Sequence, residues 1–168
     1  MSATATPDPA EQRVIDALVR LGIPHELVRI DPAFAATADF CREYGFPMEA
    51  SVNCIVVMGK AEPPLFAACM VQATRRLDVN GAIKRRFGVR KASFAPSDVA
   101  VELTGMLPDG VTPVGLPDGL PVWVDAPVME LDRIIVGGGS RALKILLPAG
   151  DLLRLPGAEA VDGLSRAD

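Results

Sequence analysis

Val52-Asn53-Cys54-Ile55-Val56-Val57-Met58 and Leu65-Phe66-Ala67-Ala68-Cys69-Met70-Val71 are compact apolar runs separated by Gly59-Lys60-Ala61-Glu62-Pro63-Pro64. Runs of this length, bounded by glycine and proline, predict two strands joined by a turn. Around them helix and strand patterns alternate. Upstream, Asp8-Pro9-Ala10-Glu11 has the form of a helix start: an N-cap, a proline in the first turn, and a carboxylate that can reach back. Val14, Leu18 and Leu21 supply the apolar face, and Gly22 the stop. His25 to Ile30 predicts a short strand, and Thr37 to Tyr44 a second helix closed by Gly45. Downstream, helices are expected over Asp78 to Phe87 and Ser97 to Leu103, ended by Gly88 and by Thr104-Gly105. Strands follow at Val122-Trp123-Val124, Ile134-Ile135-Val136 and Leu143 to Leu147, with a last helix near Asp151. The class is α/β. No repeat or linker interrupts the pattern, so one domain is expected over residues 1–168, with only the first few and last several residues fraying.

The chain has 168 residues, enough to remove roughly 70% of its unfolded surface from water without a metal or disulfide staple. A charged fraction of 23% with high aliphatic content excludes a disordered chain. Cys41, Cys54 and Cys69 are scattered and odd in number, which fits buried thiols in a reducing compartment. The opening Met-Ser-Ala-Thr-Ala-Thr-Pro-Asp-Pro has neither a basic nor an apolar targeting segment, and no run approaches a membrane span. A cytoplasmic protein without membrane association is expected.

The net charge of −4 is unevenly spread. Arg75, Arg76, Lys84, Arg85, Arg86, Arg90 and Lys91 face one acid, Asp78, giving +6 over that stretch and −10 over the rest. Such asymmetry either guides a polyanion to one face or forms a solvated helix surface.

Familiar catalytic patterns fail on inspection. The only histidine, His25, sits at a strand entry, which suits structural duty, and neither it nor the cysteines have metal-site spacing. Gly138-Gly139-Ser140-Arg141-Ala142 approaches a nucleophile elbow, but the histidine that should follow is absent. Lys144 is followed by Ile145, so the stretch is no phosphate loop. Three glycines after a strand allow either close backbone approach to a ligand or a tight turn. Gly110-Val111-Thr112-Pro113-Val114-Gly115-Leu116-Pro117 is a stiff second wall for a pocket, or a rigid connection. Asn53 interrupts an apolar strand and needs hydrogen-bond partners, either as a structural bridge or as a pocket group.

The order of these motifs resembles the YbaK/prolyl-tRNA editing domain family, which includes free-standing aminoacyl-tRNA deacylases. The likeness runs from about Val14 to Gly157. It rests on Leu21-Gly22-Ile23-Pro24, Arg90-Lys91-Ala92-Ser93-Phe94-Ala95, Leu103-Thr104-Gly105, Gly110 to Pro117, Leu131-Asp132-Arg133 and Val136 to Arg141. The resemblance implies a mixed, strongly curved, barrel-like sheet flanked by helices. It also implies a pocket for the aminoacyl group on the acceptor end of tRNA, hydrolysis of a mischarged ester of the tRNA-Pro type, no cofactor or metal, and no DNA partner. By similarity, Gly138 and Gly139 donate to the ester carbonyl, Asn53 positions substrate, and Thr112, Pro113, Gly115, Gly137 and Ser140 line the site. Lys84, Arg85, Arg86, Arg90 and Lys91 are the expected tRNA contacts. Asn53 stands where many members carry a strand lysine, so its amide oxygen is expected to orient a water or the substrate amine. A binding module without activity is the alternative reading.

Overall fold

Asp8 caps the first helix, α1 (Pro9–Arg20), its carboxylate accepting from the Ala10 N–H at 2.8 Å. This computed structural model describes residues 8–167. Residues 1–7, where the N-terminal fraying and targeting expectations fall, lie outside it. Glu11 does not reach back to the cap. It is buried, accepts from Arg29 at 2.7 Å, and accepts a short bond from the Ser140 hydroxyl. Gly22 takes a left-handed φ of 67° after the helix, and β1 (Glu26–Arg29) and α2 (Thr37–Tyr44) follow.

The two apolar runs form an antiparallel hairpin of β2 (Val52–Gly59) and β3 (Leu65–Gln72), in register from Val52↔Gln72 to Gly59↔Leu65. Next come β4 (Arg75–Leu77), α3 (Lys84–Phe87), β5 (Ala92–Phe94), α4 (Ser97–Thr104), β6 (Val122–Asp125) and α5 (Ala126–Met129). The chain closes with β7 (Arg133–Gly137), β8 (Leu143–Pro148), β9 (Ala158–Val161) and β10 (Ser165–Ala167). A five-stranded sheet has the order β5-β2-β3-β6-β9, with β3–β6 and β6–β9 parallel and the other pairs antiparallel. A second, antiparallel sheet has the order β1-β8-β7, and β4 pairs with β10.

The mixed sheet is as expected, but the barrel is not there. The large sheet has open edges at β5 and β9, and it meets the small one at a single parallel bridge, Ser51↔Ile135. Closure would need a continuous ladder between β2 and β7, and beyond that bridge the two strands separate.

The main core lies between the sheets under α1: Val14 and Leu18 pack with Val52, Ala68 and Met70 from one sheet and Ile145 and Leu147 from the other. Each Val, Leu, Ile and Met among them contributes roughly 1.5–3 kcal/mol by leaving water. The alternate residues of β3, Ala67, Cys69 and Val71, pack on the opposite face with Trp123, Ile83 and Leu164. Burial of both faces is why this strand reads as a continuous apolar run. A third cluster, Phe40, Cys41, Ala35, Ile30 and Ile135, fixes α2 to the small sheet.

Three expected elements differ. Asp78 to Phe87 is a π turn over Val79–Ile83 followed by the single turn of α3, because the Asp78 carboxylate takes the Ala82 N–H at 3.1 Å and widens the first turn. The helix near Asp151 is a 3-10 turn, Ala149–Arg154. The C-terminal residues are ordered through Ala167, since β10 pairs with β4 and Leu164 is buried. No described helix is long and apolar enough to cross a membrane.

Candidate functional site

Where β2 and β7 part, they leave a cavity of about 230 Å³. Asn53, Cys54 and Ile55 line one side, Val136 and Gly137 the other, and Lys144 on β8 also borders it. The Ser51 carbonyl is taken on the β3 side by the Ala73 N–H, and the Val56 carbonyl on the other side by Ala95, at 2.8 and 2.9 Å. Alternation along the strand therefore turns the main-chain groups of Cys54 toward the gap.

Gly137 is required by packing: a Cβ there would lie 2.7 Å from the Val111 carbonyl oxygen and 2.9 Å from that of Gly110. Gly110 is equally constrained, with its Cβ position 2.4 Å from the Ser140 oxygen. The two glycine segments thus pack backbone to backbone, and only the near end, Asp109 and Val111 with Gly137, reaches the cavity.

Asn53 Oδ1 accepts from the Thr37 hydroxyl of α2 at 2.9 Å. That bond uses one of the two acceptor positions of the oxygen, and the amide N–H₂, with no partner among the described residues, is a further group to offer a ligand. The amide donor thus stands beside the expected action of Asn53 through its oxygen.

Lys144 was not foreseen. It sits in Leu143-Lys144-Ile145, 7% exposed, with Nζ donating to the Ala35 carbonyl at 2.9 Å and the Asp109 carbonyl at 3.2 Å. The Phe40 ring centroid lies 5.6 Å away. Burial pulls its pKa below the ordinary lysine value, partly opposed by Asp109 and Cys41 and reinforced by Arg141. Asp109 holds a left-handed φ of 63°, and its carboxylate pairs with Arg141 at 2.7 Å. Arg141 also donates to the Pro32 carbonyl at 3.2 Å, tying the two carbonyl-bearing loops together. The signal for Lys144 was present in the sequence, a lone charge in an apolar strand, the same signal that singled out Asn53.

Nucleophilic side chains in the gap are quiet. Burial, with Cys69 adding, pushes the Cys54 thiol far above its usual range, so it stays protonated. Ser51 Oγ is 3.1 Å from Cys41 Sγ. His25 Nδ1 is 2.8 Å from the Ile23 carbonyl oxygen, a structural contact.

At the other end of β2, a cleft of about 610 Å³ is lined by Lys60, Lys84, Arg90 and Lys91 over Met58 and Pro64. These four cations, and Arg85, have no carboxylate partner among the described residues. Arg29, Arg42, Arg133, Arg141 and Arg154 are each paired with an acid. Three of the four lysines thus border this cleft and the fourth borders the gap.

The aminoacyl-tRNA editing domain profile matches residues 31–155, most of the chain and all of the gap. The chain belongs to the aminoacyl-tRNA editing domain family. Among solved structures, it is similar to a protein described as a candidate trans-editing enzyme for prolyl-tRNA synthetase, at 25% identity and TM-score 0.80, over 94% of this chain and 98% of that one. A hypothetical protein shares the fold at 22% identity and TM-score 0.82, over 92% and 99% of the two chains. In a signal transduction candidate from Marinobacter aquaeolei VT8 the fold occupies 31% of a longer chain, at 20% identity and TM-score 0.62, over 94% of this chain.

In this editing domain Asn53 and Gly137 border the gap, and the other expected site residues do not. Gly138 and Gly139 are buried. The Gly139 N–H already donates to the Gly110 carbonyl at 2.6 Å, and Leu143 fills the space beside Gly138. Ser140 gives its hydroxyl to Glu11. Thr112 is fully buried, its hydroxyl without a partner, while Pro113 and Gly115 border a separate cavity beside α1. Of the expected tRNA contacts, Lys84, Arg90 and Lys91 meet in the basic cleft, whereas Arg85, exposed, borders a separate cleft with Arg86 and Asp162. Arg86 is occupied: it pairs with Glu159 and stacks over Trp123, 4.9 Å from the ring centroid.

Proposed function

We propose that this editing domain is a trans-editing deacylase, acting in the cytoplasm as one unit, that hydrolyses the ester of a mischarged tRNA, with tRNA-Pro its first candidate. The observation that carries the reading is the small polar gap where β2 and β7 part. At about 230 Å³ it suits an aminoacyl group rather than a whole nucleotide. It contains no activated nucleophile, which fits direct attack by water on an already reactive ester. The Asn53 amide N–H₂ and the Cys54 main-chain edge are the donors suited to orienting the acyl group, taking the place expected of Gly138 and Gly139.

The basic cleft at the far end of β2 supplies the second requirement. Gly59 lies six residues from Asn53, about 20 Å at strand rise, a distance a few nucleotides of single strand can span. Unpaired cations over an apolar floor, with Phe94 54% exposed on the neighbouring strand, fit phosphates and stacked bases of the acceptor end. The solved relative described as a candidate trans-editing enzyme for prolyl-tRNA synthetase supports the choice of tRNA-Pro.

The test is deacylation of Ala, Ser, Thr and Cys on tRNA-Pro, and of Ala on its cognate tRNA, beside Asn53→Ala. Selective hydrolysis that falls at least tenfold in the variant is expected. Retained tRNA binding with no hydrolysis across the panel would replace the deacylase by a binding module.

A further inference from the structure

We propose that Lys144 is the catalytic cation of the gap: its ammonium receives the ester carbonyl oxygen of the aminoacyl group and holds the charge that develops as water adds. This rests on the deacylase reading above. Among the described residues, Lys144 is the sole cationic side chain bordering the cavity. An ammonium has three donors, and two are spent on the Ala35 and Asp109 carbonyls. The third has no protein partner among the described residues.

The supports of Lys144 come from three segments. The Asp109 carbonyl is presented by a residue at a left-handed φ of 63°, a conformation that Asp adopts more readily than most side chains. Arg141 braces this loop, donating to the Asp109 carboxylate and to the Pro32 carbonyl. Phe40 closes a further side. A poorly hydrated, fixed donor is the arrangement that stabilises developing oxyanions most strongly, because nothing reorganises as the charge appears.

The chemistry balances without a further reactant. Water oxygen bonds to the carbonyl carbon, and the carbonyl π pair moves onto the oxygen facing Lys144. That pair returns as the acyl bond to the ribose oxygen breaks. The ribose oxygen takes the proton that water gives up, and the amino acid leaves as a carboxylate with its remaining proton passed to solvent. Lys144 ends as it began.

The charged and titratable groups facing Lys144 are Asp109, Arg141 and Cys41. The Asp109 carboxylate is matched by Arg141, and the Cys41 sulfur lies against Ser51. The alkaline limb of activity therefore belongs to Lys144, and it falls below the ordinary lysine range.

The experiment compares wild type, Lys144→Met and Lys144→Arg in single-turnover deacylation of the best substrate of the panel, with tRNA affinity measured alongside. Lys144→Met is expected to lower the rate constant 10²–10³-fold while tRNA affinity stays within twofold. Lys144→Arg is expected to recover at least tenfold over the Met variant and to lose the alkaline limb. As a check that needs no folded variant, [¹⁵N]lysine-labelled wild type is titrated with a 3′-aminoacylamino-3′-deoxyadenosine, a stable amide analogue, and the Lys144 Nζ resonance is expected to shift. An active wild type matched within threefold by a folded Lys144→Met, an alkaline limb unchanged in Lys144→Arg, or an unmoved Nζ with analogue bound would overturn the assignment and leave the deacylase standing. A wild type that cleaves no substrate of the panel overturns both.

Discussion

Asn53 and Lys144 are single polar residues in apolar strands, and one gap accounts for both. Gly137, which also borders the gap, has no room for a side chain: Gly137→Ala is expected to cost about 1–3 kcal/mol, since the Val111 and Gly110 carbonyls must move. Urea unfolding measures the cost, and deacylation should fall with it. A second expectation concerns pH. Burial lowers the pKa of Lys144 from the ordinary 10.5, so between the lowered value and 10.5 the unfolded chain binds more protons than the folded one. Stability contributed at this residue therefore rises with pH through that window. The rise should vanish in Lys144→Met when denaturation midpoints are followed from neutral to alkaline pH; an identical slope in both proteins would refute it. At this scale Asn53 and Lys144 carry the same local signal, a lone polar residue in an apolar strand, and what the sequence hid was the support of the Lys144 ammonium. The carbonyls that make sense of the ammonium lie 109 and 35 residues away, and no local pattern carries them. The commitments of Gly139 to Gly110 and of Ser140 to Glu11 were hidden in the same way.

The strand β2 organises the site: its first half borders the gap and its far end the basic cleft. If the cleft holds the acceptor end, replacing Lys60, Lys84 and Lys91 together by Glu should weaken tRNA binding and reduce the slope of log affinity against log salt by about 2, at about 0.7 per phosphate contact on a single strand. Filter binding across a salt series reads this directly, and an unchanged slope would remove the cleft from the tRNA path. Arg86 is a poor probe, because its reversal would break its pairing with Glu159 and its stacking on Trp123. Elements with strong internal patterns, such as β2, β3, α1 and α2, were legible in advance. The three-residue strands β4, β5 and β10 were not, since so short a strand is specified by its partner rather than by its own periodicity. The Asp78 side chain likewise converted an expected helix into a wider turn, a competition that spacing does not display.

For the molecule as a whole, the family resemblance gave the α/β architecture but overstated its curvature. Among the described residues one bridge joins the two sheets, and the opening beside it is the candidate site. The far face of the large sheet depends on the C-terminal segment: Leu164 is 1% exposed among Trp123, Cys69 and Ile83. Leu164→Ala is expected to cost about 2–5 kcal/mol in equilibrium unfolding, far more than a frayed tail would. At the opposite end of the chain, the buried Glu11 carboxylate waits for Ser140, 129 residues later. At about 5–20 residues per second, a ribosome needs roughly 6 to 26 s to deliver that hydroxyl. During that interval Glu11 has Arg29 as its partner, the small sheet that completes the cover of its helix is unfinished, and Lys144 has yet to be made. A nascent chain halted before residue 144 lacks the ammonium that borders the gap, so on the proposed mechanism the site is assembled only after both sheets have been made.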